Sequence, residues 1–158
     1  MPQRIDYLDD PQAPKPNTIV PSANVIIVND HDEVLMIRRT DNGNWAVPGG
    51  SMDLGESIVE AAVREAAEET GITCEITGLV GIYSSPRHVI LYTSNNEVRQ
   101  EFSVVFTGRP IGGQLRPSSE SDEPRWVPVA TVLDLDIHPS MRQRIRHYLD
   151  RLGEPYLG

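Results

Sequence analysis

Residues 57 to 71 encode a short helix whose two ends and two faces can all be read from the chain. Ser57 and Glu60 stand at the spacing of a capping box, so the helix should begin near Ile58. Gly71 sits where a left-handed residue would close it. Val59, Val63, Ala66, Ala67 and Thr70 form an apolar stripe that should face a core. Glu65, Glu68 and Glu69 share the other face, with Ala61 and Ala62 leaving space beside them. Like charges at this spacing repel by a few tenths of a kcal/mol per pair. They also lie at the C-terminal end, where the helix dipole favours cations. Local conflict of this kind is expected where function overrides stability. A hard divalent cation, which prefers oxygen ligands, would resolve it.

The rest of the chain surrounds this helix with short strands, which makes the fold class α/β. Residues 1–16 are rich in Pro, Asp and Gln and read as a flexible N-terminal arm, ordered at most against a partner subunit; residues 17–158 form the domain. Strands are expected from Thr18 to Val28 and from Val34 to Arg39, paired as a hairpin across Asn29-Asp-His-Asp32. Trp45-Ala-Val47 is a third, short one. Thr73 to Ile76, Leu79 to Tyr83, His88 to Thr93, Val98 to Thr107 and Arg125 to Val129 follow. Residues 108–124 read as a long loop, and a second helix follows Ser140. Its basic residues, Arg142, Arg144, Arg146, His147 and Arg151, suit packing and a helix C-terminus better than a nucleic-acid surface.

Charge narrows the partners. A formal net charge of −9 argues against attraction to a nucleic-acid polymer or an anionic membrane. An anionic small molecule would need local cations. The apolar runs are too short to span a bilayer, and no apolar leader is visible, so cytoplasmic residence is the default expectation. The single cysteine, Cys74, reads as a small buried apolar residue.

In order, the chain carries Gly50, five residues, Glu56, seven residues, Arg64-Glu65, Ala66, one residue, Glu68-Glu69, one residue, and Gly71-Ile72. This pattern resembles the signature of the Nudix hydrolases, with Ala66 a smaller residue than the apolar slot usually holds. The resemblance extends to the lead-in Trp45-Ala-Val-Pro-Gly-Gly50 and to the strand around Trp126. It implies an α/β/α sandwich around a mixed β-sheet. It also implies Mg²⁺, or Mn²⁺, held by Glu65, Glu68 and Glu69 with a backbone carbonyl of Gly49 or Gly50. Glu56 and Arg64 would form a salt bridge that orients these acids.

By the same resemblance the reaction is hydrolysis of a pyrophosphate bond in a nucleoside diphosphate linked to another group, such as ADP-ribose or a nucleotide sugar. A nucleoside triphosphate is the alternative substrate, and a domain that senses nucleotides without turnover is the alternative function. Pro86 lies close to the position of a proline found in ADP-ribose members without matching it. Candidate catalytic acids are Glu69, Glu120 and Glu68, with Asp122 and Glu123 as rivals to Glu120; Glu120 and Glu69 both remain open as the base acting on the attacking water. Substrate contacts are expected from Arg38 or Arg39, only one of which can face the site from a strand, and from Trp45 and Tyr83 by stacking. A homodimer through the arm and edge strands is compatible with the sequence, although no residue pattern specifies one.

Overall fold

The computed structural model describes residues 3–119, 121–150 and 153–158. In chain order the elements are β1 (Arg4–Leu8), β2 (Thr18–Ile19), β3 (Ser22–Ile27), β4 (Glu33–Arg38), β5 (Trp45–Ala46), β6 (Gly49–Ser51), α1 (Ile58–Thr70), β7 (Ile72–Tyr83), β8 (His88–Tyr92), β9 (Glu97–Gln100), β10 (Ser103–Gly113) and β11 (Arg125–Pro128). A 3₁₀ turn (Val129–Asp134), α2 (Pro139–Asp150) and β12 (Tyr156–Leu157) complete them. Three sheets result, ordered β12-β7-β10-β3-β6, β1-β8-β9-β2 and β11-β4-β5.

The five-stranded sheet is mixed, because β10 runs parallel to β3 and antiparallel to β7. Alternation along β3 sends Ala23, Val25 and Ile27 to one face, where they meet Ala62 and Ala66 of α1 and Phe106. Ile26 points the other way, into a second cluster with Val80, Val105 and Ile145 of α2. The sheet is therefore held between two helices, the expected α/β/α arrangement. Each fully buried Ile or Val here contributes roughly 1.5–3 kcal/mol.

Both ends of α1 follow the expected chemistry. Ser57 Oγ accepts from the Glu60 N–H, Glu60 returns a bond to the Ser57 N–H, and Gly71 closes the helix at φ 81°. Its buried face differs from the expected stripe. Ala61, Ala62, Glu65, Ala66, Glu69 and Thr70 are buried, while Val59 is exposed. Three fully buried alanines let the helix lie close to the sheet, and that approach carries two of the acids inward.

Three strand expectations are corrected. β3 and β4 do not form a hairpin: β10 and β6 occupy the two edges of β3, and β4 pairs with β11 and β5 instead. Across the turn they are joined by the isolated bridge Val28 to Val34 and the bond from the Asn29 N–H to the Glu33 carbonyl. The two strands expected on either side of Thr77–Gly78 are one, β7, because shifts in its register with β10 absorb the glycine. The strand expected from Val98 to Thr107 breaks at Glu101–Phe102, where the buried Glu101 carboxylate binds Arg144, and its halves enter different sheets.

The N-terminal segment also differs from a free arm. Arg4–Leu8 pairs antiparallel with β8 of its own chain. The cause is a buried charge relay. Asp6 accepts two bonds from Arg4, at 2.8 Å on Oδ1 and 3.1 Å on Oδ2, and His88 Nε2 shares Oδ2 at 2.9 Å. Although burial opposes ionisation, His88 and Arg4 hold the Asp6 carboxyl far below its ordinary value near 3.8. A depressed folded value means that the contribution of Asp6 is present above about pH 4 and is lost as pH falls. Asp6→Asn should cost about 3–5 kcal/mol at neutral pH and flatten the loss of stability between about pH 5 and about pH 3. Urea unfolding of both proteins across that range checks this; equal midpoints would contradict it.

Candidate active site

Gly49 and Gly50 of the turn and Glu65 of α1 form one side of a cavity of about 410 Å³, with Glu69 buried just behind Gly49. At Gly50 an added Cβ would lie 2.5 Å from the Glu65 carboxyl carbon and would push that acid from its place. At Gly49 a Cβ would strike the Ala23 carbonyl oxygen at 2.2 Å. The two glycines thus let the acids sit directly on the backbone of β6. The Gly49 N–H points at Glu69 Oε1, 3.4 Å away.

Glu65 and Glu69 are 9% and 3% exposed, and their carboxyl groups are close enough to hydrogen-bond each other. Burial is the first cause that raises both; the neighbouring Glu65 adds to it at Glu69, whose carboxyl is pushed up to about 9. Two acids in this state hold a proton between them, and a divalent cation can take the place of that proton. Glu68 does not join the pair. Its side chain is 60% exposed and bonds Arg64 Nη1 at 3.2 Å. Among the described residues no three Asp, Glu, His or Cys side chains are gathered as a ready metal cage.

Arg64 fixes the site from outside. Its Nε and Nη2 grip Glu56 at 3.0 and 2.8 Å, its Nη2 also reaches the Ser51 carbonyl, and its Nη1 holds Glu65 at 3.0 Å. The guanidinium and a backbone bond from Asp53 lower the Glu56 carboxyl to about 2. The Glu56–Arg64 pair expected from the sequence is therefore present and tied to both the turn and an acid.

The remaining expected residues are dispersed. Arg39 lines the cavity and forms a two-point bond with Asp41 at 2.9 and 2.7 Å. Arg38, its neighbour on the strand, points to the half-buried Glu123. Trp45 does not reach the cavity: it is buried in the core under Arg125, whose guanidinium lies 4.4 Å from its ring. Tyr83 is packed against His147 and Tyr156 on the α2 side, with its hydroxyl 2.7 Å from His147 Nδ1. Both aromatic rings are consumed by packing. Glu120 lies outside the described residues. The loop around it is anchored to the end of α1, where Ser121 Oγ donates to the Glu69 carbonyl at 2.8 Å and the Arg116 N–H to the Thr70 carbonyl at 2.9 Å. Of its rivals, Glu123 is engaged with Arg38 and Arg125, and Asp122 is exposed.

Sequence reading missed the far wall of the cavity. Arg4, Tyr92 and Arg99 line it from β1, β8 and β9, and Asn24, Glu101 and Arg144 complete its floor. One signal was available: Arg4 and Asp6, and Glu97 and Arg99, are opposite charges two apart, which share a strand face.

The NUDIX domain profile matches residues 18–148. The chain belongs to the Nudix family. Similar Nudix proteins include a "MutT-like protein" of Streptomyces ambofaciens, 36% identical over 77% of this chain and 72% of its own. A "putative 8-oxo-dGTP diphosphatase" of Bacillus subtilis is 32% identical over 80% of this chain and 77% of its own. An "ADP-ribose pyrophosphatase" of Methanocaldococcus jannaschii is 36% identical over 61% of this chain and 55% of its own. A Nudix hydrolase structure from Nitrosomonas europaea superposes with a TM-score of 0.67 at 23% identity, covering 87% of this chain and 92% of the other, which shows the shared fold. Two of these relatives are thus named for hydrolysis of nucleotide derivatives. No helix among the described residues is long and apolar enough to cross a membrane.

Arg64→Lys retains the charge but loses the fork that spans Glu56, Glu65 and the Ser51 carbonyl. Turnover should fall about 10–100-fold with unchanged helix content by circular dichroism. Turnover equal to that of the parent protein would remove Arg64 from the site.

Proposed function

We propose that this Nudix protein uses a divalent cation, Mg²⁺ or Mn²⁺, to hydrolyse the phosphoanhydride of a nucleoside diphosphate linked to a second group. The observation that carries this reading is the buried Glu65–Glu69 pair pressed against the Gly49–Gly50 turn. The donor set suits a hard cation, being carboxylate oxygens held against the backbone of Gly49 and Gly50. Glu65, Glu69 and the turn at Gly49 and Gly50 would hold it, with Glu68 at the solvent rim. When bound, such an ion neutralises phosphoryl oxygens and lowers the pKa of a water beside them.

The chain's own groups do the positioning. Arg64 keeps Glu65 turned inward, and Glu56 keeps Arg64 in place. Arg39 presents its Nη1, which meets no acceptor among the described residues, to the cavity for a phosphate oxygen. Glu69, driven toward its protonated form when no cation is near, is the acid on this side suited to receive a proton from the attacking water; Glu120 stays the alternative. A nucleoside triphosphate is the second reading of the substrate, favoured by the printed name of the Bacillus subtilis relative. The name of the Methanocaldococcus jannaschii relative favours ADP-ribose. A cytoplasmic setting fits either substrate.

Glu69→Gln removes a ligand and the buried like-charge conflict together. Turnover with Mg²⁺ should fall by at least about 100-fold, while the melting temperature without metal stays equal or rises. Full turnover in the folded variant would overturn the role of Glu69. A panel of nucleoside triphosphates, ADP-ribose and nucleotide sugars identifies the leaving group from its products. Labelled water then reports which phosphorus is attacked. No hydrolysis of any member with Mg²⁺ or Mn²⁺ would leave a binding domain in place of an enzyme.

A further inference from the structure

The cavity has two unlike walls, and the wall opposite the acids carries no net charge. Three cations line that side, and each is matched by its own carboxylate. Arg4 is bonded to Asp6 through Nε and Nη2, Arg99 to Glu97 through the same two atoms at 2.9 Å each, and Arg144 to Glu101 at 3.2 Å. In the first two pairs the acid stands two residues away on the same strand face, which fixes the guanidinium plane. Pairing at the Nε–Nη2 edge leaves the outer edge of the fork to point elsewhere. Nη1 of Arg4 meets no acceptor among the described residues, and Nη1 of Arg99 is held by Ser51 Oγ at a long 3.3 Å. Arg144 is 4% exposed, and its buried Nε also meets no acceptor among the described residues.

Such a wall offers fixed N–H donors whose charge is already paired with Asp6, Glu97 and Glu101, which weakens the attraction for a phosphate. An uncharged group rich in acceptors uses the same donors without depending on that field. Ile90 and Tyr92 add apolar surface beside the donors, and Arg99 stacks over the Tyr92 ring at 4.7 Å. The acids and Arg39 serve the anionic part of a nucleotide at the other end of the same cavity.

Given that Glu65 and Glu69 mark the site of anhydride hydrolysis, we propose that Arg4 and Arg99, on the sheet β1-β8-β9-β2, bind the uncharged nucleobase of the substrate. This assigns a binding role to β1, which lies outside the 18–148 segment matched by the family profile. It also gives the order of groups in the cavity: phosphates toward the helix, base toward the small sheet.

The test is calorimetry on the full chain with Mg²⁺, using the four ribonucleoside monophosphates and inorganic pyrophosphate as probes, alongside turnover of the substrate panel. Arg99→Gln should weaken the tightest monophosphate at least about fivefold and change pyrophosphate binding less than about twofold. Arg4→Gln should do the same, and Arg99→Lys should restore part of the loss. A melting curve separates an unfolded variant from a weakened site, and Arg99→Gln carries the test if Arg4→Gln detaches β1. Pyrophosphate weakened as much as the monophosphate, neither weakened, or no monophosphate bound by the parent protein would each overturn the proposal. Loss of turnover across the whole panel with nucleobase binding intact would instead sink the hydrolytic reading alone.

Discussion

Burying Glu65 and Glu69 side by side against a glycine turn is costly in the absence of a cation, and much of the surrounding structure answers that cost. The Gly49 amide faces one carboxylate, and Arg64 grips the other. Arg64 could not do so alone, since a free guanidinium on a helix surface samples many rotamers. Glu56 holds it with two bonds, and the Ser51 carbonyl adds a third, so the fork, the turn and the acids form one rigid unit. Alanines at 61, 62 and 66 are the packing counterpart of this arrangement. Larger side chains there would lift α1 from the sheet and carry the acids away from the turn.

The four-stranded sheet plays a different part. It encloses the cavity from the opposite side, is braced internally by the buried pair of Asp6 with His88, and is tied to α2 by the buried pair of Arg144 with Glu101. Ser51 connects the two regions, accepting from Arg99 with its hydroxyl and from Arg64 with its carbonyl. One residue of β6 therefore touches both the network that steadies the acids and the wall that faces them. Three hydrogen bonds, Arg99 to Ser51, Arg64 to Ser51 and Arg64 to Glu65, connect that wall to an acid.

Much of this was legible before folding. The capping box, the glycine cap, the spacing of the acids and the Glu56–Arg64 pair are local, with partners within about two helical turns or one short loop. Short-range chemistry of that kind leaves its mark on consecutive residues. The burial side of α1 was partly misread: Val59 suggested the core by hydrophobicity but is exposed, whereas the small Ala61 and Ala62 are buried and Val63 packs at the edge of the same core. Likewise Trp45 and Tyr83 looked available for stacking, but packing beneath Arg125 and against His147 claimed them.

By itself the sequence determined the helix, its acid set and the family to which the chain belongs. Tertiary structure decided which acids turn inward, that Arg39 rather than Arg38 enters the cavity, and that the N-terminal strand becomes part of its wall. The reason is distance along the chain. Arg144 meets Asn24 across 120 residues and Asp6 meets His88 across 82, and pairings over such separations depend on strand order, which no local pattern encodes.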